Sequence, residues 1–177
     1  DVLRGKYYLY CKRFDAAIIH FEKAYAQLRL TGISTAVEAS YMSVLVLDLA
    51  TAYGYSKDFC LRRDILQEGI YFLEYDWSHF RNAALDQLLA EMLGLLGETF
   101  LKGFHNESAA IDCYKKASAT GNSIKFHSQL ALVYCKLSSP YAREALEKTE
   151  ALRRKTNNAS PEEKYYIGLY YFLRGKT

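Results

Sequence analysis

Between positions 14 and 28 the apolar residues are Phe14, Ala17, Ile18, Phe21, Ala24, Tyr25 and Leu28, three or four apart with polar residues between them. That spacing lays one apolar stripe along an α-helix. The same period runs through 36–55, 58–74, 81–102, 107–119, 123–136, 140–155 and 161–174, and residues before Lys12 read as the end of another helix. The pattern therefore predicts an all-α chain of about nine helices. The punctuation agrees. Ser139-Pro140 and Ser160-Pro161 each place a capping hydroxyl before a proline at the first helical position, where a missing N–H costs nothing. Ser160 with Glu163 has the spacing of a capping box. Gly32 and Gly121 stand where helices should end.

A second, longer period is laid over the first. Gly5-x2-Tyr8 is followed by Ala17-x3-Phe21-x2-Ala24. Leu93-x2-Leu96-Gly97-x2-Phe100 is followed by Ala110-x3-Tyr114-x2-Ala117. Leu130-Ala131-x2-Tyr134 precedes Ala142-x3-Leu146, and Ile167-Gly168-x2-Tyr171 stands near the end. A weaker copy is Leu49-Ala50-x2-Tyr53 with Leu66-x3-Ile70. The spacing has a packing logic. A small residue on a first helix lets a second helix approach, an aromatic three positions on fills the space beside that contact, and the paired positions on the second helix share one face. Gly97 is expected to be such a close-approach position. Gly69, in the weaker copy, is expected to tolerate alanine better.

This pattern is similar to the tetratricopeptide repeat (TPR), W-x2-L-G-x2-Y followed by A-x3-F and a later Ala. The resemblance implies a right-handed superhelical array of antiparallel helix pairs, a TPR-like α-solenoid. It also departs from the signature. No copy carries the Trp, and Trp77 falls in an expected linker. The anchoring aromatics Tyr8, Tyr53, Phe100, Tyr134 and Tyr171 lie 45, 47, 34 and 37 residues apart, so the early units carry extra residues around 29–37 and 75–82. The units run approximately over 1–30, 36–74, 81–120, 123–156 and an incomplete 160–177. Both ends fall inside repeats, and the chain reads as a single repeat segment excised from a longer protein.

Composition narrows the function classes. Half of the 177 residues are apolar and 24% are charged, enough to bury a core. Only 2 Pro and 10 Gly occur, which suits long helices, while 16 Tyr and 9 Phe supply rings to fill gaps between them. The net charge is +3, and the basic runs Lys12-Arg13, Arg62-Arg63 and Arg153-Arg154-Lys155 are short helix-end clusters rather than one stripe, so nucleic acid is not the expected partner. The stretch 41–55 is interrupted by Asp48 and is too short to span a bilayer. Cys11, Cys60, Cys113 and Cys135 form no CxxC pair, and four scattered His give no zinc spacing. Free thiols in a reducing cytoplasm, with no metal and no cofactor, are the expectation. The triplets starting at Asn106 and Asn158 fit glycosylation only by pattern, and nothing else argues for secretion.

No phosphate-binding glycine loop, nucleophile elbow or HExxH run is present, so no enzyme is expected. Glu91 and Glu98 share a helix face but read as surface solubility groups. His20 reads as a partly buried packing residue, and Trp77, His79 and Phe80 as a plug over the long linker. The resemblance then implies where binding would occur: first helices line a concave groove. Lys6, Thr51, Glu98, Leu132 and Leu169 follow the small positions, and Tyr10, Tyr55, Lys102, Lys136 and Leu173 lie two beyond the aromatics. Of these, Lys6, Tyr10, Thr51, Tyr55, Glu98, Lys102 and Lys136 are the candidate contacts for a peptide with some acidic character. The first column has no Asn, so the carboxylate clamp that holds chaperone tails in some TPR proteins is not expected. The function so implied is a protein–protein interaction scaffold. The alternative is the sensor or regulatory repeat segment of a bacterial transcriptional regulator or signalling protein whose output domain lies elsewhere. Ile167, Gly168, Tyr171 and Phe172 form a face with no following helix, so self-association through 161–174 is also expected.

Overall fold

A computed structural model describes residues 1–78, 81–121, 123–155 and 161–175. Nine α-helices occur among them: α1 (Val2–Tyr10), α2 (Phe14–Thr31), α3 (Ala36–Ser56), α4 (Phe59–Tyr71), α5 (Ala83–Gly103), α6 (Glu107–Gly121), α7 (Ile124–Lys136), α8 (Ala142–Lys155) and α9 (Pro161–Arg174). A π-helical segment, Phe72–Asp76, continues α4. No strand occurs among the described residues. Each helix packs on its successor, as antiparallel neighbours do. In addition α1 touches α3, α3 touches α5 and α7 touches α9, and Lys125 of α7 reaches Glu91 of α5, so the odd-numbered helices lie side by side.

Burial follows the small–aromatic register. Ala17, Phe21, Ala50, Leu66, Ala110, Ala117 and Ala131 are wholly buried, and Tyr53, Tyr114 and Tyr134 nearly so. A Cβ added to Gly5 would lie 2.5 Å from the Phe21 ring, and one added to Gly97 would lie 3.0 Å from the Tyr114 ring. In both cases the ring at the x3-aromatic position of the second helix rests on the backbone of the first. Gly69 departs from expectation. Its added Cβ would meet Val46 Cγ1 at 2.8 Å and Met92 Sδ at 3.0 Å, so the weaker copy is packed as tightly as the stronger one. Gly168, the equivalent position on α9, has nothing within 4 Å.

The turns repeat too, without glycine. Lys12, Lys57, His105 and Ser138 all adopt positive φ, between 50° and 63°, each in the turn between an odd helix and the next even one. The next residue's N–H then donates back to the carbonyl of the anchoring aromatic: Arg13 to Tyr8, Asp58 to Tyr53, Asn106 to Phe100 and Ser139 to Tyr134, each at 2.9 Å. This satisfies a carbonyl left open at the helix end. The anchoring aromatic thus fills the interhelical space with its ring and closes the turn with its backbone. Three of the donating residues also cap the helix ahead: Asp58 Oδ1 accepts from Leu61 N, Asn106 Oδ1 from Ala109 N, and Ser139 Oγ from Tyr141 N. Asn106 is therefore occupied as a helix cap.

Several expected boundaries shift. Gly32 ends α2 at φ +76°, as read from the sequence. Pro140 sits in a turn, and α8 begins at Ala142. A cap not named above is the Thr35–Glu38 capping box that opens α3, at the S/T-x-x-E spacing. The expected Ser160 cap and the residues His79 and Phe80 lie outside the described residues. Trp77, expected in the linker as part of a plug, is buried. It ends the π-helical segment, donates its N–H to Phe72 O at 3.1 Å, and is 7% exposed. The wider π turn carries the insertion while keeping Leu73 and Trp77 on the buried side with Leu66 and Ile70.

The core is in two parts. The larger runs from Ala17 to Phe126 and includes Trp77, Cys113 and Ala117. The smaller gathers Ala110, Tyr114, Leu130, Tyr134, Leu146, Tyr170 and Leu173. Helix α6 therefore faces both, with Phe100 packed against each.

Candidate functional site

The residues expected to line the groove fall into two groups. Glu98 and Lys102 on α5, Leu132 and Lys136 on α7, and Leu169 on α9 line one cavity of about 500 Å3, closed at one side by Glu107 and Tyr114 of α6. These five come from three successive odd helices, which lie side by side. Lys6, Tyr10, Thr51 and Tyr55 do not line it. Lys6 Nζ is 3.3 Å from Asp48 Oδ2 on α3. Tyr10 is 88% exposed. Thr51 spends its hydroxyl on Leu47 O of its own helix at 2.7 Å, and Tyr55 stacks on Phe14 with ring centroids 4.9 Å apart. Leu173, also placed on the groove side by the column, is instead buried in the smaller core.

The electrostatics of the cavity differ from the sequence reading at Glu98. This residue and Glu91 are not surface solubility groups. Glu98 Oε2 accepts from Arg62 Nη2 at 2.7 Å, and Arg62 is 5% exposed on α4. Lys102 donates to the other oxygen. Burial pushes the Glu98 carboxyl up, but the hydrogen bonds and charges of Lys102 and Arg62 outweigh it and hold the group below the usual carboxylate range. Glu91 is bound by Lys125 of α7 at 2.6 Å. Two carboxylates seven residues apart on α5 therefore reach opposite ways, Glu98 back to α4 and Glu91 forward to α7. Both pairs are stitches between units. At the groove, the consequence is that Glu98 is neutralised from behind, leaving Lys102 and Lys136 as the cations beside the apolar floor of Leu132 and Leu169.

Asp48, the charge that breaks the apolar run of α3, behaves differently. Burial raises its carboxyl above the usual value, and Lys6 offsets this only in part. Tyr165, Gln129 and His105 also line the α5–α7–α9 cavity and were not read from the sequence. Tyr165 lies four residues before Leu169 and Gln129 three before Leu132, so the helical neighbours of the chosen column carried the signal.

Among the described residues no group of three or more His, Cys, Asp or Glu is placed to hold a metal ion, and no helix is long and apolar enough to cross a membrane. His20 is a packing residue, stacked on Tyr8 at 5.4 Å.

No family model matches the sequence, and no curated protein is similar to it at a significant level. Solved structures do match in shape. A structure of nearly identical TPR-like repeats from Podosopora anserina superposes with a TM-score of 0.67, and a variant of it with 0.69. Each is 14% identical and covers 97% of this chain and 84% of its own. The chain has a TPR-like repeat fold.

Proposed function

We propose that this chain is an interaction scaffold that holds an extended segment of a partner protein across α5, α7 and α9. The observation that supports it is the single 500 Å3 cavity to which three successive odd helices contribute Glu98, Lys102, Leu132, Lys136 and Leu169. Its volume lies in the range of ordinary ligand sites. Lys102 and Lys136 are exposed, with Leu132 and Leu169 half-buried in the same wall, which suits a segment carrying carboxylates beside an apolar side chain. In this reading the function is binding, with no catalysis, in a cytoplasmic setting.

The test is selection of peptides from a display library on the purified chain, followed by titration calorimetry of the enriched sequences. Acidic–apolar peptides should be enriched. Lys102→Ala and Lys136→Ala should each weaken them by roughly tenfold, the value of a hydrogen bond to a charged group. Tyr10→Ala should leave affinity unchanged. Enrichment of basic peptides, or equal loss in the Tyr10 variant, refutes the assignment.

The outer face of α9 supports a second contact, with another copy of this chain. Gly168 is open to space and Tyr171 is 51% exposed, while Tyr170 and Leu173 face inward. Sedimentation should show concentration-dependent association that Tyr171→Lys reduces; a monomer at all concentrations removes this contact.

A further inference from the structure

A larger cleft lies away from the groove, between α6 and α8 over a floor of α7, with a volume of about 780 Å3. Its wall is cationic. Lys115 comes from α6, and Lys148 and Lys155 from α8, against one carboxylate, Glu144. Glu144 is already engaged by Lys148 at 2.8 Å, which holds its carboxyl below the usual range. His127 stands in the floor, with its Nδ1 shielded from solvent and lacking a hydrogen-bond partner. A buried polar atom without a partner is costly and needs an explanation. At one end Tyr134 and Tyr141 form a tilted ring pair, centroids 5.8 Å apart. Here lysines from two different helices border one cavity beside an unsatisfied imidazole and an aromatic wall.

We propose that this cleft is a second binding site, for a small phosphate monoester carried on an aromatic body. The ring lies against Tyr134 and Tyr141, and the phosphate takes hydrogen bonds from Lys148 and Lys155, close enough for its charge to act on the imidazole. Burial, and then the charge of Lys148, disfavour the imidazolium in the free protein. The titratable groups that line the cleft with His127 are Lys115 on α6, Tyr134 on its own helix, Tyr141, and Glu144, Lys148 and Lys155 on α8, and of these Lys148 acts on the imidazole. A bound dianion reverses the balance and favours the protonated ring.

The experiment uses phenyl phosphate, with inorganic phosphate and sodium chloride at matched ionic strength as the other arms. The His127 ring resonances, identified through His127→Gln, are followed by NMR against pH. Phenyl phosphate should shift them and raise their titration midpoint, and inorganic phosphate should do so at least tenfold more weakly. The double variant Lys148→Gln/Lys155→Gln, in exposed positions and checked by circular dichroism, should weaken phenyl phosphate by tenfold or more. Three results overturn the proposal: no response at millimolar phenyl phosphate, an equal response to chloride, or an undiminished response in the lysine variant. Equal potency of inorganic phosphate overturns the aromatic body.

Discussion

Replacing Glu98 by Gln removes a charge from the pair that ties α5 to α4. The partner left behind is a guanidinium that is 5% exposed and whose Nε already lacks a hydrogen bond. Breaking a buried pair from one side costs about 3–5 kcal/mol, because an uncompensated charge stays in the interior. Glu98 is less buried than Arg62, with 29% of its side chain exposed, and Gln still accepts one hydrogen bond. The expected loss is therefore about 2–3 kcal/mol, below the full penalty. The control is Glu147→Gln. Its pair with Arg143 is nearly as short, at 3.0 Å, but the side chains are 89% and 65% exposed, so the loss should stay within about 0.5 kcal/mol. Urea unfolding followed by helical circular dichroism measures both. In the double variant Arg62→Met/Glu98→Gln the buried cation is gone, and the combined cost should fall short of the sum by about 1–2 kcal/mol. The pH profile supplies an independent check. The folded carboxyl lies below its unfolded value, so Glu98 contributes stability above the ordinary carboxylate range and loses it as pH falls through the folded value. The Gln variant should accordingly show a flatter acid limb. A loss at Glu98 no larger than at Glu147, or strict additivity in the double variant, would refute the buried-stitch reading.

The glycines and the left-handed turn residues give a second set of melts. Gly97→Leu and Gly69→Ala should each lose about 1–3 kcal/mol by overpacking, whereas Gly168→Ala should gain about 0.5–1 kcal/mol, since the added methyl enters open space within a helix. Lys57→Gly, at φ 63°, should gain up to about 1 kcal/mol by relieving the Cβ clash. A Gly69 variant as stable as the parent would mean that Val46 and Met92 yield at no cost. Thiol kinetics form the third. Cys11 and Cys60 are exposed and should react with a disulfide reagent at once, while Cys113, buried and with its thiol pushed up to about 11, should react only on unfolding. Rapid modification of all four thiols in the native state would contradict the packing of α6.

What was legible in the chain was what is local. Gly5 with Tyr8, or Ala110 with Tyr114, lie within one or two helical turns, so their spacing alone fixes which face they share. The repeated turn was hidden because its left-handed residue is Lys, His or Ser, and no glycine marks it. The stitches were hidden for a different reason. Arg62 and Glu98 are 36 residues apart, and Lys125 and Glu91 are 34 apart. The second separation equals the 34-residue interval between Phe100 and Tyr134, whereas the first joins a second helix to the next first helix and follows no period. Which charges meet depends on how the units stack, and a single helix does not determine that. The groove divided for the same reason. Glu98, Lys102 and Lys136 line one cavity, whereas Thr51 and Tyr55 have partners in their own neighbourhood.

Trp77 is the only tryptophan, and it is buried in the larger core beside Phe72 at a centroid distance of 6.1 Å. Its emission is therefore a local gauge. Fluorescence reports the half of the array built on α2 to α5 and is blind to the smaller core around Tyr134 and Tyr170, while the far-ultraviolet signal counts helices everywhere. If the C-terminal units come apart first, the two optical transitions will separate, with ellipticity falling while the indole remains blue-shifted. The molecule carries its own two-channel readout of whether its repeats melt together or in sequence.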